Sequence, residues 1–578
     1  MRFRISPGAL ALPILTALSG ILLPGCGDPK PDPTYASRDG EVMLARGNCM
    51  ACHEASAETV ARIRPLIGPR LLADAAVGAR LSPTYMAAFI ADPHATKRGT
   101  RMPQALHALD GEARAEAARS IAAYLASQRP ADWASPQPTL VLPDLLANGE
   151  RLYRTIGCAA CHGAADHDRW AKATHFDALV ALLGDPLATH PSGLMPNVPL
   201  GADEARAIAA YMLTGQAKDD SGTLRVSSSP GLRVEYFEQP MTSDGLPDDA
   251  HNPSRIFALP SVSIDFPHRD EEFGVRYIGT LDVPADGEYT FHLGSDDGSR
   301  LLLDGKLVID HWGPHGFAWK SSRMTLKKGP VAFRLVYFEI SVDNELRLEW
   351  SGPGLKRGPI VAERLSHETV ALTPLFEADW VTPEAAKRGE ALFSSSGCAS
   401  CHAAPTTTAP KFADLDATAG CLADPPNAAA LDFGLDGPSR QLLRDVVDHR
   451  RDLTLALPPT KVVEHSLQRM GCMLCHQRNG EGGPNALNAE SFVADGSAEL
   501  GDQGRLPPRL DGVGDKFRPE ALARVLASGE KVRPYMLTRM PVFGESAVDG
   551  LAAAFTAADR IPAHDAAPTF SVESAQAG

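Results

Sequence analysis

The chain is 578 residues long, and because a single hydrophobic core rarely exceeds about 250–300 residues, this length predicts several domains. The 56 Lys and Arg residues are outnumbered by 71 Asp and Glu residues, so the formal net charge is −15, which argues against nucleic acid as a partner. After the N-terminal region, no segment of the sequence is long and apolar enough to suggest a membrane-spanning helix.

The N-terminus has the pattern of an export signal, predicted at residues 1–25. A basic start is followed by the apolar stretch Ala9–Leu23. Leu23–Cys26 resembles a bacterial lipoprotein box, which implies lipid attachment at Cys26; an ordinary signal peptide or a membrane anchor is the alternative. Residues 26–36 are Pro-rich and predict a lipidated, extended tether. We therefore expect an exported, membrane-anchored lipoprotein of the periplasm or the cell surface.

A five-residue pattern, Cys-x-x-Cys-His, occurs four times. Its cysteines are Cys49, Cys52, Cys158, Cys161, Cys398, Cys401, Cys472 and Cys475, and its histidines are His53, His162, His402 and His476. In the attachment pattern of haem c, two thiols form thioether links to the porphyrin and the following His binds the iron. The sequence therefore predicts four covalent haem c groups.

Similar helical patterns surround these motifs. Ile121–Leu125 and Ile208–Met212 have nearly the same sequence and predict closing helices. A first helix, the motif, a variable loop and a closing helix resemble the plan of class I cytochrome c. The predicted fold class is multidomain, with four all-α cytochrome c-like domains flanking one all-β antiparallel sandwich. The helical domains are predicted at 37–130, 140–220, 380–455 (atypical) and 456–560, before a flexible tail at 561–578.

The resemblance to class I cytochromes implies a sixth iron ligand, which in that family is usually a Met thioether. A Met followed by Pro occurs in three repeats, at Met102, Met195 and Met540. The alternative for each is an ordinary buried methionine. The family also implies a Pro-containing loop whose carbonyl accepts a hydrogen bond from the His of its own repeat, and such loops contain Pro69, Pro410 and Pro508 in the first, third and fourth repeats.

The third repeat departs from this pattern, because no Met lies between His402 and Met470. His449 and Cys421 are candidate sixth ligands, and a five-coordinate iron is a further option. The alternatives are a solvated helix end for His449 and a buried, small apolar residue for Cys421.

Between 228 and 362 the Ala-rich helical pattern gives way to short alternating runs. Strands are predicted at Leu232–Phe237, Tyr289–Leu293, Ala332–Tyr337 and Leu346–Trp350. Residues 231–237, 287–291 and 295–301 resemble a protective-antigen-type (PA-fourteen) domain, a β-sandwich found in adhesins, glycosidases and toxins. The resemblance implies an antiparallel sandwich over the whole segment.

Some sugar-binding members of that family hold Ca²⁺ through an Asp-Asp pair, which here would be Asp296 and Asp297. A structural role in a turn is the alternative. His311, Trp312 and Trp319 could line a sugar site by stacking, or could pack in the core and loops.

The whole sequence resembles multihaem class I cytochromes fused to a PA-fourteen domain. This resemblance predicts a tetrahaem protein for periplasmic or cell-surface electron transfer, an electron carrier rather than a catalyst, with a sandwich that binds carbohydrate or a partner. Its partners would be redox proteins, carbohydrate, and the membrane through the lipid. Two alternatives are a peroxidase-like enzyme with an open third haem and a protein that is primarily a surface binding module.

Overall fold

The computed structural model describes residues 40–63, 76–97, 100, 102–162, 165–189, 195–238, 253–341, 343–402, 409–427, 430–485, 488–494, 500–531 and 533–560. The predicted signal, the tether, Cys26, Pro69 and the tail at 561–578 lie outside these residues.

The region before the sandwich is helical. Its helices are α1 Gly40–Arg46, α2 Ala57–Ile63, α3 Val77–Arg80, α4 Pro83–Ala91, α5 Pro93–Thr96, α6 Gly111–Ser127, α7 Pro143–Ile156, α8 Cys158–Cys161, α9 Ala165–Ala173, α10 Phe176–Gly184, α11 Pro186–Thr189 and α12 Ala202–Met212. Helix α6 begins after Asp110, whose carboxylate accepts a hydrogen bond from the Ala113 amide at 3.0 Å and so caps the helix. The predicted closing helices lie within α6 and α12.

An antiparallel β-sandwich follows. Its strands are β2 Val226–Pro230, β3 Leu232–Phe237, β4 Arg255–Leu259, β5 Phe273–Val283, β6 Gly287–Asp296, β7 Ser299–Leu303, β8 Lys306–His311, β9 Ala318–Leu326, β10 Gly329–Glu339, β11 Glu345–Gly352, β12 Leu355–Pro359 and β13 Leu365–Leu372; the earlier β1, Thr139–Val141, also pairs with β13. The larger sheet runs β1-β13-β5-β10-β7-β8, with β2 on β13 and β3 between β4 and β5, and the smaller runs β12-β11-β6-β9. The predicted sandwich and its strands are confirmed.

Alternating side chains of both sheets form the sandwich core. On β10, Val331, Phe333, Leu335 and Tyr337 all point into the same buried cluster. Two strands also join the sandwich to its helical neighbour: Val141 of β1 and Val370 and Leu372 of β13 pack in a cluster with α7 and α12. We call the four predicted helical ranges, 37–130, 140–220, 380–455 and 456–560, the first to fourth helical segments. The sandwich is therefore docked on the second helical segment.

The region after the sandwich is again mainly helical. Its helices are α13 Pro383–Ser395, α14 Cys398–His402, α15 Gly437–Asp448, α16 Pro459–Arg469, α17 Gly501–Arg505, α18 Val513–Lys516, α19 Pro519–Ser528, α20 Glu545–Val548 and α21 Leu551–Asp559, with a small hairpin of β14 Gln477–Arg478 and β15 Glu481–Gly482. Among the described residues, no helix is both long and apolar enough to cross a membrane.

Close helix contacts at glycines show how the helical segments associate. A Cβ on Gly149 of α7 would lie 1.9 Å from the Ala207 carbonyl oxygen of α12, so the two backbones touch within the second segment. A Cβ on Gly389 of α13 would lie 1.9 Å from the Ser120 carbonyl oxygen of α6, which belongs to the first segment. The contacts of α13 are therefore not confined to the predicted range 380–455.

Helix α1 makes the reciprocal contact. A Cβ on Gly40 would lie 2.5 Å from the Leu442 carbonyl oxygen and 2.6 Å from the Val446 side chain, both on α15. The first helix of the first segment thus packs on the last helix of the third.

Candidate functional sites

The four Cys-x-x-Cys-His motifs form tight helical turns. In three of them the preceding glycine has a positive φ, 119° at Gly157, 79° at Gly397 and 67° at Gly471, a backbone conformation that favours glycine. The His amide then donates to the carbonyl of the first Cys, at 3.0 Å for His53 and 2.8 Å for His476. Each such turn places two thiols and an imidazole side by side.

Two of the histidines have one ring nitrogen close to a proline carbonyl. His476 Nδ1 is 2.7 Å from the Pro508 oxygen, in the same repeat as predicted. His53 Nδ1 is 2.8 Å from the Pro410 oxygen, although the sequence pattern assigns Pro410 to His402. The reason is the position of the loop: the Phe412 amide donates to the Glu54 carbonyl at 2.9 Å, which attaches this loop to the first motif. With Nδ1 engaged, Nε2 is the nitrogen that could bind a metal.

The thiols of the first motif lie near those of another. Burial raises the pKa of Cys49 to about 12, and the neighbouring Cys421 and Cys52 add to the shift. A hydrogen bond with Cys401 is the main cause that lowers the pKa of Cys52 to about 7. The first and third motifs are therefore in contact, and Cys421 lies beside the first rather than the third.

The predicted methionine ligands are distributed differently from the order of the motifs. Met102 packs in one apolar cluster with Cys398 and Ala399 of the third motif, whereas Cys49 of the first motif packs in another cluster. Met195 packs with Cys158 of the second motif, as the sequence predicts.

Two further predicted ligands have clear positions. Met540 is half-buried and follows Arg539, whose amide donates to the Ile156 carbonyl at 2.8 Å, next to the second motif. His449 ends α15, and its Nδ1 is 2.8 Å from the Asp445 carbonyl of that helix, which packs on α1.

At one end of the sandwich, three carboxylates converge. Asp296, Asp297 and Glu339 each offer an oxygen within 4.8 Å of the others. Asp297 Oδ1 accepts a hydrogen bond from the His315 amide at 2.8 Å and Oδ2 accepts one from the Ile340 amide at 3.0 Å. Asp296 Oδ2 accepts a hydrogen bond from the Phe317 amide at 3.1 Å. The loop before β9 is thus fixed around the acidic pair.

Glu339 is the most buried member of this group and is fully inaccessible. Its Oε2 accepts hydrogen bonds from the Asp297 amide at 3.2 Å and the Tyr337 hydroxyl at 3.1 Å, while its Oε1 is buried and has no hydrogen-bond partner among the residues that the structure describes. Burial, followed by the charge of Asp297, raises the pKa of Glu339 to about 8. Burial and the same neighbour also raise the pKa of Asp296. A cation would relieve both effects.

Aromatic side chains surround the acidic group, but in different roles. Phe317 and Trp319 are 36% and 39% exposed, and their rings meet edge to face at 5.7 Å. Trp312 packs against Phe338 at 4.7 Å between ring centroids and is therefore a packing residue. His311 stacks on His315 at 4.0 Å.

Sequence reasoning missed Glu339. The signal was present in the strand pattern, because Glu339 continues the inward-facing series of Leu335 and Tyr337 at a period of two, and a carboxylate on a buried strand face needs a partner.

Comparison with known proteins agrees with this sandwich. A family model described as PA14 domain matches residues 228–364. This segment is therefore similar to a PA14 domain, as its sequence pattern predicts. A curated relative, Anti-sigma-I factor RsgI3 of Acetivibrio thermocellus, is 30% identical over 157 residues, which cover 26% of this chain and 24% of the relative. The chain thus spans about a quarter of the length of that relative.

Solved structures likewise match about a quarter of this chain. An anti-sigma factor domain-containing protein from Clostridium clariflavum is 31% identical, over 23% of this chain and 47% of that one, with a TM-score of 0.20. A PA14 sugar-binding domain from an RTX adhesin is 21% identical, over 24% of this chain and 98% of that domain, with a TM-score of 0.21.

These comparisons contradict the prediction that the chain is first of all a tetrahaem cytochrome for electron transfer, which is therefore wrong. The matching family model is that of a PA14 domain, and the curated relative is named an anti-sigma factor. The descriptors haem, iron, cytochrome c and electron transfer receive no support from them. The alternative, a surface binding module, agrees better with these findings.

Proposed function

We propose that this chain is a surface-binding protein whose PA14 domain binds carbohydrate through a Ca²⁺ ion held by Asp296, Asp297 and Glu339. The observation that carries the proposal is the convergence of three carboxylates. One of them, Glu339, is buried, and its Oε1 accepts no hydrogen bond from the described part of the chain. An uncompensated carboxylate in such a place is unfavourable, and a bound cation offsets this cost.

The donor set favours Ca²⁺ over softer metals, since all the ligand atoms are oxygens. Ca²⁺ takes about six to eight oxygen ligands, more than these side chains supply, and so it retains positions for water or for the hydroxyl groups of a sugar. The carboxylates keep free lone pairs after accepting the amide hydrogen bonds of His315 and Ile340.

The adjoining aromatic pair supports a carbohydrate ligand. The Phe317 amide is bonded to Asp296, so its ring is positioned from the same loop that surrounds the acidic group. Phe317 and Trp319 are partly exposed, and an exposed aromatic face can stack on the apolar face of a sugar ring.

Glycan-array binding of the full chain, with Ca²⁺ and with a chelator, tests this function. We expect retention on a subset of glycans in Ca²⁺, and its loss with the chelator and in Asp296→Asn and Glu339→Gln. Glu288→Gln is the matched control, because Glu288 is an exposed carboxylate of the same sandwich paired with Arg323 at 3.5 Å. Equal binding with and without Ca²⁺, or loss in the control as well, would contradict the proposal.

For the helical segments we propose that the four motifs attach haem c covalently, as their sequence indicates. The residues fit this group, because paired thiols stand beside an imidazole whose Nδ1 is held by a backbone carbonyl at His53 and at His476. The mass of the chain matured in a host with haem-attachment machinery, together with a pyridine haemochrome count, tests this cofactor. The mass of the mature N-terminus likewise tests the proposed lipid at Cys26.

A further inference from the structure

Three glycine contacts in the first, second and third helical segments can be compared residue by residue. In the second segment, a Cβ on Gly149 would meet the Ala207 carbonyl at 1.9 Å and the Tyr211 side chain at 2.8 Å. A Cβ on Gly389 would meet Ser120 at 1.9 Å and Tyr124 at 2.9 Å. Because Ile208–Tyr211 and Ile121–Tyr124 have the same sequence, these are the same contact, made once within a segment and once between two segments.

The third glycine contact, that of Gly40, also joins the first and third segments. Gly40 approaches the Leu442 carbonyl and the Val446 side chain of α15, again a carbonyl and the side chain four residues later. The loop at Pro410 approaches His53 of the first motif. Helix α1 and the first motif therefore belong with α15, whereas α13 and the third motif belong with α6.

Two short backbone bridges then define equivalent positions in the loops. Asn197 and Val542 exchange hydrogen bonds of 2.9 and 2.7 Å, and Gln104 and Asp432 exchange hydrogen bonds of 2.6 and 3.4 Å. Three of these bridge residues have a methionine two positions earlier, at Met195, Met540 and Met102, and Asp432 has Ala430 there.

We propose that the described parts of residues 40–127 and 383–448 form two composite haem pockets by exchange of their first helices, α1 and α13. Met102 then serves the haem attached at Cys398 and Cys401, while the haem attached at Cys49 and Cys52 has no methionine at the position equivalent to Met102. This inference rests on the proposed haem attachment and is independent of carbohydrate binding. It reassigns the atypical site from the third motif to the first.

The surroundings of the first motif agree with a pocket that lacks a thioether. Ala430 stands at the position equivalent to the methionines, and its carbonyl is 2.8 Å from His107 Nε2 of the other segment. Cys421 also lies beside Cys49 and Cys52, and Met43 and Met50, which pack with Cys49, belong to α1 and to the motif itself rather than to the facing loop. In the other pocket, Met102 and Cys398 pack in the same apolar cluster.

The test introduces Met102→Ala into two variants of the full, haem-loaded chain, each of which lacks one of the two haem-attachment sites. The readouts are the methionine-to-iron(III) charge-transfer absorption and the electron paramagnetic resonance spectrum. With Cys49→Ala/Cys52→Ala, which removes the first attachment site, Met102→Ala is expected to remove one of the methionine-ligated signals that remain. With Cys398→Ala/Cys401→Ala, the same change is expected to leave the spectrum unaltered. The reverse pattern would overturn the proposal.

A gain of signal in the otherwise intact chain provides an independent test. Ala430→Met is expected to raise the charge-transfer absorption by about one third, from three methionine-ligated irons to four. An unchanged absorption at unchanged haem content would count against the composite pockets. A mature chain whose mass contains no porphyrin would reject both this inference and the cofactor, and would leave the carbohydrate proposal untouched.

Discussion

The contact between α13 and α6 can be tested by adding a single methyl group. In Gly389→Ala, the new Cβ would lie 1.9 Å from the Ser120 carbonyl oxygen, about 1.5 Å closer than an ordinary contact of about 3.4 Å. The obstacle is backbone rather than a flexible side chain, so the two helices must separate.

The expected magnitude follows from two opposing effects. Alanine in a helix is favoured over glycine by about 1 kcal/mol, whereas overpacking of this kind costs about 1–3 kcal/mol or more. Because the overlap involves two backbones, we expect a net destabilisation of about 1–2 kcal/mol. Gly111→Ala is the matched control in α6, since a Cβ there would meet nothing within 4 Å.

Hydrogen exchange of the full chain, followed by mass spectrometry of its peptides, locates the effect. Gly389→Ala should lower the protection of both α13 and α6, and Gly149→Ala should lower that of α7 and α12 instead. Gly111→Ala should leave both pairs at least as protected as in the unchanged chain. If Gly389→Ala leaves α6 as protected as the control does, then the packing between the segments described here is wrong.

Two further predictions concern buried charge. Glu235→Gln removes the negative charge that lies 2.8 Å from Nη1 of the buried Arg276, and should lower the free energy of unfolding of the sandwich by about 3–5 kcal/mol. Glu150→Gln, at an exposed pair with Arg154, should change stability by at most about 0.5 kcal/mol. Equal changes in urea denaturation would contradict this prediction. Burial lowers the pKa of His175, so the neutral imidazole is favoured in the fold, and stability should fall as the pH decreases below the ordinary pKa near 6.5. Between pH 7.5 and 5, the melting temperature of His175→Asn should therefore fall less steeply than that of the unchanged chain. Parallel curves for the two proteins would refute this assignment.

Much of the architecture could be predicted from local patterns. The alternation in Leu232–Phe237 gave the third strand with its limits, and the Ala-rich repeats gave the closing helices α6 and α12. The resemblance to sugar-binding PA-fourteen domains pointed to the Asp296–Asp297 pair as a candidate cation site. These features depend on residues close together in the chain, where side-chain period and turn chemistry determine the conformation.

The partners of these elements depended on the tertiary structure. Gly40 and Gly389 occur in equivalent patterns, and nothing local indicates that the first packs on α15 and the second on α6. Glu339 joins the acidic pair only because β10 passes beside the end of β6. Local sequence therefore determined which helices and strands form and which residues carry chemistry. Long-range packing decided which of these elements contact one another, because contacts between distant segments are selected by shape and burial across the whole fold.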